Sequence, residues 1–132
     1  MKKLFLTLVI TFISVLGFAQ EINGVTTGAQ IWENEQWTQM PNGEGIPVWI
    51  NANSTRMTIK SKVQQYYYLY NMSQMHVNSS GHNQITCNAT NQNGEEFYVR
   101  FVFREDIDGE LQIYIHSSYF DVVYDVATFP NE

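Results

Sequence analysis

Beyond residue 20 the chain has no long apolar run, no sustained helical periodicity, a single cysteine and few basic residues. Each shortage excludes something. Cys87 has no second thiol to pair with, so no intramolecular disulfide staples the fold. Apolar residues do not recur at i, i+3, i+4 and i+7, which removes amphipathic helices and with them most helical folds. There is no Gly-rich phosphate loop, HExxH helix or nucleophile elbow. No cofactor is therefore expected, and an enzyme is the least supported reading. The 7 basic residues stand against 13 acidic ones, for a net charge of −6. Such a surface repels phosphate backbones, so nucleic acid is excluded as a favoured partner.

What the chain does have begins at its start. Lys2 and Lys3 precede an apolar stretch from Leu4 to Val15, and Gly17-Phe18-Ala19 offers small residues for cleavage. This is the pattern of a secretory signal peptide over residues 1–19, too short and wrongly flanked for a membrane span. No cysteine stands near the cut, so there is no lipobox, and a secreted or periplasmic protein is expected. No membrane insertion is expected after cleavage. Cleavage after Ala19 leaves 113 residues, and loss of the two lysines takes the basic count to 5 against 13, a net −8. That length is one domain, able to bury a modest core. Residues 20–29 read as a flexible N-terminal arm and residues 30–132 as a single β domain.

Short alternating apolar runs punctuated by Gly, Asn, Asp and Ser fill that domain, the pattern of antiparallel strands. In the run from Phe97 to Arg104, the residues Phe97, Val99, Phe101 and Phe103 point one way, and Tyr98, Arg100 and Arg104 the other. Leu111, Ile113 and Ile115 face inward in the next strand. Pairing Phe103 with Ile113 and Phe101 with Ile115 leaves a three-residue loop, Ile107-Asp108-Gly109. The preceding hairpin takes the loop Gln92-Asn93-Gly94, which sets Ala89 against Phe97 and Cys87 against Val99. A one-residue slip would turn a whole face outward, so this match outranks the Asn-Gly two-residue turn. Upstream, Ile59 is expected opposite Tyr67 and Met57 opposite Leu69, with Tyr66, Tyr68 and Tyr70 outside. Further strands are read over 46–50, 32–40 and 122–126, and Asn71 to Asn83 is the longest polar connection. The fold class is all-β: an antiparallel meander of seven or eight strands forming a small barrel or strongly curved sheet. Cys87 alternates inward with Ile85 and Ala89, and reads as a buried apolar residue rather than a reactive thiol.

Several segments carry a resemblance. Met57-Thr58-Ile59-Lys60-Ser61-Lys62 is followed by Gln65-Tyr66-Tyr67-Tyr68-Leu69. Gly94 to Arg100, Gln112-Ile113-Tyr114-Ile115 and Val123-Tyr124-Asp125-Val126 continue the series. Over about residues 56–126 this resembles small exported bacterial all-β proteins of unknown function. The resemblance implies the fold and export and transfers no activity. Phe97 stands where such relatives often have a second cysteine, so a disulfide from there to Cys87 is lost.

Candidate recognition residues lie on the outer face. The expected register sets Arg100 opposite His116, Val102 opposite Tyr114 and Arg104 opposite Gln112, with Tyr98 continuing the row. An aromatic, cationic and amide surface of this kind can stack a sugar ring or grip a carboxylate. Tyr66 and Tyr68 add a second aromatic stripe suited to glycan or protein recognition. The first set has a plainer reading as cross-strand pairs on a solvated face, and the second as aromatics that simply favour strands or lie under the N-terminal segment. Trp32, Trp37 and Trp49 serve equally as stacking platforms or core anchors. Met72, Met75, His76 and His82 form a soft set that suits copper(I), but their spacing matches no compact site, and no metal is assigned. Asp121 and Asp125 share a face about 13 Å apart, too far for a glycosidase pair. The expected function is an exported, non-enzymatic binding module for a glycan or protein, acting through this strand face and the 71–83 loop. An inhibitor or immunity-type protein against a cationic hydrolase, and a small apolar-ligand carrier, are the alternatives.

Overall fold

The computed structural model describes residues 21–51, 55–104 and 110–128. Among them are ten strands and no helix. They are β1 (Glu21–Glu33), β2 (Gln36–Gln39), β3 (Pro47–Asn51), β4 (Arg56–Ile59) and β5 (Gln65–Tyr70). Then come β6 (His76–Val77), β7 (Asn83–Asn91), β8 (Glu96–Arg104), β9 (Glu110–His116) and β10 (Asp121–Thr128). Every pairing is antiparallel. The sheet order β10-β9-β8-β7-β5-β4-β3-β1 closes on itself because β1 also pairs β10. The result is a closed eight-stranded meander barrel, with β2 and β6 as two extra strands. Closure removes the open edges that a curved sheet would leave.

The inward set follows the period-two pattern. Met57, Ile59, Tyr67, Leu69, Ile85, Cys87, Val99, Phe101, Phe103, Leu111, Ile113 and Ile115 are all buried in one cluster. Cys87, expected as a small buried residue, is 1 % exposed. Burial pushes its thiol up to about 12, since a thiolate there would be cut off from water.

The β7–β8 hairpin has the expected register, Ala89 on Phe97 and Cys87 on Val99. Its turn explains why. Gly94 takes φ +79°, and the Asn91 side-chain carbonyl accepts the N–H groups of Asn93 and Glu95 at 3.0 and 2.9 Å.

Two other hairpins depart from expectation by two residues. Met57 pairs with Tyr67 rather than Leu69, and Ile59 with Gln65 rather than Tyr67, so the loop is 60–64. Phe101 pairs with Ile113 and Phe103 with Leu111, so Arg100 faces Tyr114, Val102 faces Gln112 and Tyr98 faces His116. The expected loop residues Ile107, Asp108 and Gly109 lie outside the described residues. An even slip leaves every side chain on its own face, so the hydrophobic match could not choose between the two registers. Within 60–64, Ser61 Oγ donates to the Val63 carbonyl at 2.7 Å and receives Gln65 Nε2–H at 3.0 Å, which holds the longer turn.

The expected flexible arm is a further correction, because residues 21–29 belong to the strand that closes the barrel. Apart from Ile22, which packs against the core, its buried inward residues are small, Gly24, Thr26 and Ala29, and so break the strand-like apolar signal. A Cβ on Gly24 would lie 2.6 Å from the Ala127 carbonyl oxygen, so β1 and β10 approach closely there. Thr26 Oγ1 donates to the Gly43 carbonyl at 2.6 Å and accepts the Ile46 N–H at 2.9 Å. That pair ties the 40–46 loop across the gap between β2 and β3.

Residues 32–40, expected as one strand, instead turn back on themselves. Asn34 and Glu35 have φ of 52° and 62°, a two-residue turn that sets Trp32 opposite Trp37. The 71–83 connection is not purely loop either. β6 pairs β7, and Ser73 bonds both ways with Thr86. The signal-peptide residues 1–19 and Gln20 lie outside the described residues.

Candidate functional site: an aromatic cleft on the β8–β10 wall

Outward residues of β8, β9 and β10 build a cleft of about 270 Å³ lined by Trp37, Tyr98, Arg100, Tyr114, His116 and Asp121. Each comes from strand alternation. Tyr98 and Arg100 leave the outer face of β8, and their direct partners on β9 are His116 and Tyr114. His116 in turn pairs with Asp121 on β10.

Four contacts set the geometry. The Arg100 guanidinium lies 4.3 Å from the centre of the Tyr114 ring, a cation–π stack. Trp37, carried over this wall by the β1–β2 hairpin, meets Tyr114 edge-on at 6.3 Å, and Trp32 meets Trp37 at 5.4 Å. His116 Nδ1 bonds the carboxylate Oδ1 of Asp121, which fixes the imidazole at the rim. The cleft therefore presents aromatic faces and edges, a guanidinium, and an imidazole–carboxylate pair.

Four sequence-predicted residues, Tyr98, Arg100, Tyr114 and His116, meet in this cleft. The other three do not. Gln112 sits farther along β9, where it donates to Asp125 Oδ1 at 2.9 Å and accepts from Arg104 at 3.3 Å. Tyr66 and Tyr68 lie on β5, on another wall. The 71–83 segment also stands apart. β6 joins β7 at Asn83 and Gln84, which face Phe103 and Val102 on β8, at the end away from Tyr98.

Trp37 and Asp121 complete the cleft, and the strand pattern did not bring them to it. Trp37 depends on the β1–β2 hairpin and on closure, which no local alternation announces, and Asp121 on its pairing with His116 across the β9–β10 hairpin.

Ser117, beside His116 in sequence, has its hydroxyl tied into the β9–β10 turn. Its Oγ accepts the N–H groups of Tyr119 and Phe120 at 3.1 and 3.2 Å. Among the described residues no group of three or more His, Cys, Asp or Glu side chains is placed to hold a metal. Of the soft set, Met72 and Met75 pack against the core, while His76 and His82 remain on the polar segment. His76 Nδ1 donates to the Gln74 carbonyl at 3.1 Å.

The chain matches no protein-family model, and a search of curated proteins returns no match.

Proposed function

We propose that this protein is a non-enzymatic recognition module that binds a glycan in the cleft between Trp37, Tyr98, Arg100, Tyr114, His116 and Asp121. The observation that carries the reading is the convergence of three aromatic rings with a guanidinium and a His–Asp pair in one hollow. Sugars offer apolar C–H faces and rings of hydroxyls. Aromatic planes cover the first, and fixed charged donors and acceptors serve the second. Arg100 is held by its stack on Tyr114, so less side-chain freedom is lost when it bonds a ligand. The proposal is confined to the cleft and leaves out the 71–83 segment.

A carrier role is the less favoured reading, on the size of one interior hollow among the described residues. The hollow between Ile22, Ile50, Leu69, Met72, Ile85 and Phe103 measures about 20 Å³, against a few hundred Å³ for a drug-sized ligand. The acidic balance favours a second reading, a protein that blocks a cationic hydrolase, and predicts a complex that weakens with salt.

The test is a glycan array probed with the chain and with its Arg100→Ala/Tyr114→Ala variant. Binding to a defined sugar group, lost in a variant that keeps its circular dichroism spectrum, supports the cleft. Binding retained by the folded variant eliminates it.

A further inference from the structure

We propose a second binding site on the opposite wall of the barrel, for a saccharide that carries carboxylates. A groove of about 430 Å³ crosses the outer face of β3, β4 and β5. β4 and β9 stand four places apart in the ring of eight strands, so this groove and the aromatic cleft face away from each other. The two sites share no residue, and either can be removed without the other.

Register builds the groove. Trp49 on β3 pairs with Thr58 on β4, and Thr58 pairs with Tyr66 on β5. Thr58 is an outward residue yet only 5 % exposed, so it forms the floor between two aromatic walls. Two strand spacings separate those walls at the backbone, about 10 Å. A ring stacked between aromatic faces needs roughly 3.5–4 Å on each side, which this width admits. The Trp49 indole is held by its own hydrogen bond, Nε1–H to Glu21 Oε2 at 2.9 Å.

The charge of the groove is opposite to that of the chain. Of the five basic residues beyond Lys2 and Lys3, three (Arg56, Lys60 and Lys62) fall within seven positions, and Arg56 and Lys60 line the groove. Arg56 lies 5.4 Å from the centre of the Tyr68 ring, which steadies its guanidinium beside the groove. Tyr66, read from the sequence as part of a second aromatic stripe with Tyr68, lines this groove, and Tyr68 stands beside it under Arg56. A fork donor with a nearby ammonium suits carboxylates, and the two aromatic walls suit the apolar faces of the rings bearing them. An inorganic polyphosphate gains the same local attraction but has no ring to lie between the aromatic walls. A uronate chain is the ligand that uses both the charge and the walls.

The experiment is calorimetric titration of the chain with oligogalacturonate and oligomannuronate, with methyl-esterified oligogalacturonate and polyglutamate as comparisons. At least one uronate oligomer is expected to bind, with affinity that falls as salt rises. Arg56→Gln/Lys60→Gln should weaken it about tenfold or more, with an unchanged melting temperature. Arg100→Ala/Tyr114→Ala should leave it intact. Equal binding of the methyl ester would show that charge is not read, and equal binding of polyglutamate would make the groove a peptide site. Either result, or no binding of both uronates, overturns the proposal. Loss of uronate binding in the Arg100/Tyr114 variant alone would assign the ligand to the aromatic cleft and overturn it too.

Discussion

The Arg100 guanidinium stacks 4.3 Å above the ring of Tyr114, its direct partner across the β8–β9 ladder. Both side chains are half-buried, so the contact is partly shielded from water. A double-mutant cycle with Arg100→Gln and Tyr114→Leu, read by urea denaturation, should give a coupling of about 0.5–1 kcal/mol. Zero coupling would mean that the pair is only juxtaposed. Arg100→Lys should recover part of the term, since an ammonium keeps the charge but not the flat stack.

Gly24 is where the seam between β1 and β10 is tightest. A methyl group there would lie 2.6 Å from the Ala127 carbonyl oxygen and 2.7 Å from Val126 Cγ1. Backbone cannot yield without opening the ladder, so Gly24→Ala should cost about 1–3 kcal/mol. Gly45 is the comparison: nothing lies within 4 Å of its added Cβ, but its φ is +77°. Gly45→Ala should cost about 1 kcal/mol through backbone conformation alone. Similar small losses at both positions, measured by chemical denaturation, would show that the seam is looser than its geometry implies.

Three buried acids are held protonated by the interior. Burial pushes Cys87 from its ordinary 9.0 to about 12. It also raises Tyr67 and Tyr124 above their ordinary 10.0, with a hydrogen bond from Gln65 partly opposing the shift at Tyr124. Each folded value lies above the unfolded one, so the folded state keeps protons that the unfolded chain releases. Their stabilising effect is complete below about pH 9. It declines as pH rises through 9.0 for the thiol and 10.0 for the tyrosines, toward the folded values. Unfolding free energy measured across the alkaline range should therefore fall steadily above about pH 9. Cys87 should resist a thiol reagent at neutral pH until the chain is unfolded. A flat alkaline profile, or fast labelling of native protein, would contradict this account.

How much of this could be read in advance differs from element to element. The inner face of β7, β8 and β9 was legible because Phe97, Val99, Phe101, Ile113 and Ile115 alternate without a break. The β7–β8 register was legible too, because the competing two-residue turn would have slipped it by one and turned Cys87 and Ala89 onto the polar face. The five-residue loop at 60–64 and the β8–β9 register were not, since a shift of two changes no side chain's face. β1 escaped notice because Gly24, Thr26 and Ala29 are inside for lack of room, not for hydrophobicity. The cleft was half legible. Tyr98, Arg100, Tyr114 and His116 share one face by alternation, whereas Trp37 reaches Tyr114 through a turn at Asn34 and Glu35, both with positive φ. Neither residue is the glycine that advertises such a turn.

Pairing of Gly24 with Thr128 joins strands from near the two ends of the described chain. Seven of the eight ladders of the barrel can be in place with the cylinder still split along one side. Contacts so distant in sequence make for slow folding, since the entropy of closing the longest loop is lost before the seam forms. During synthesis β1 emerges first and waits longest for β10. In that interval its backbone, and later that of β9, is open to strands of other chains. Thr26, Thr27 and Gly28 leave the middle of that waiting edge with little apolar surface to attract them.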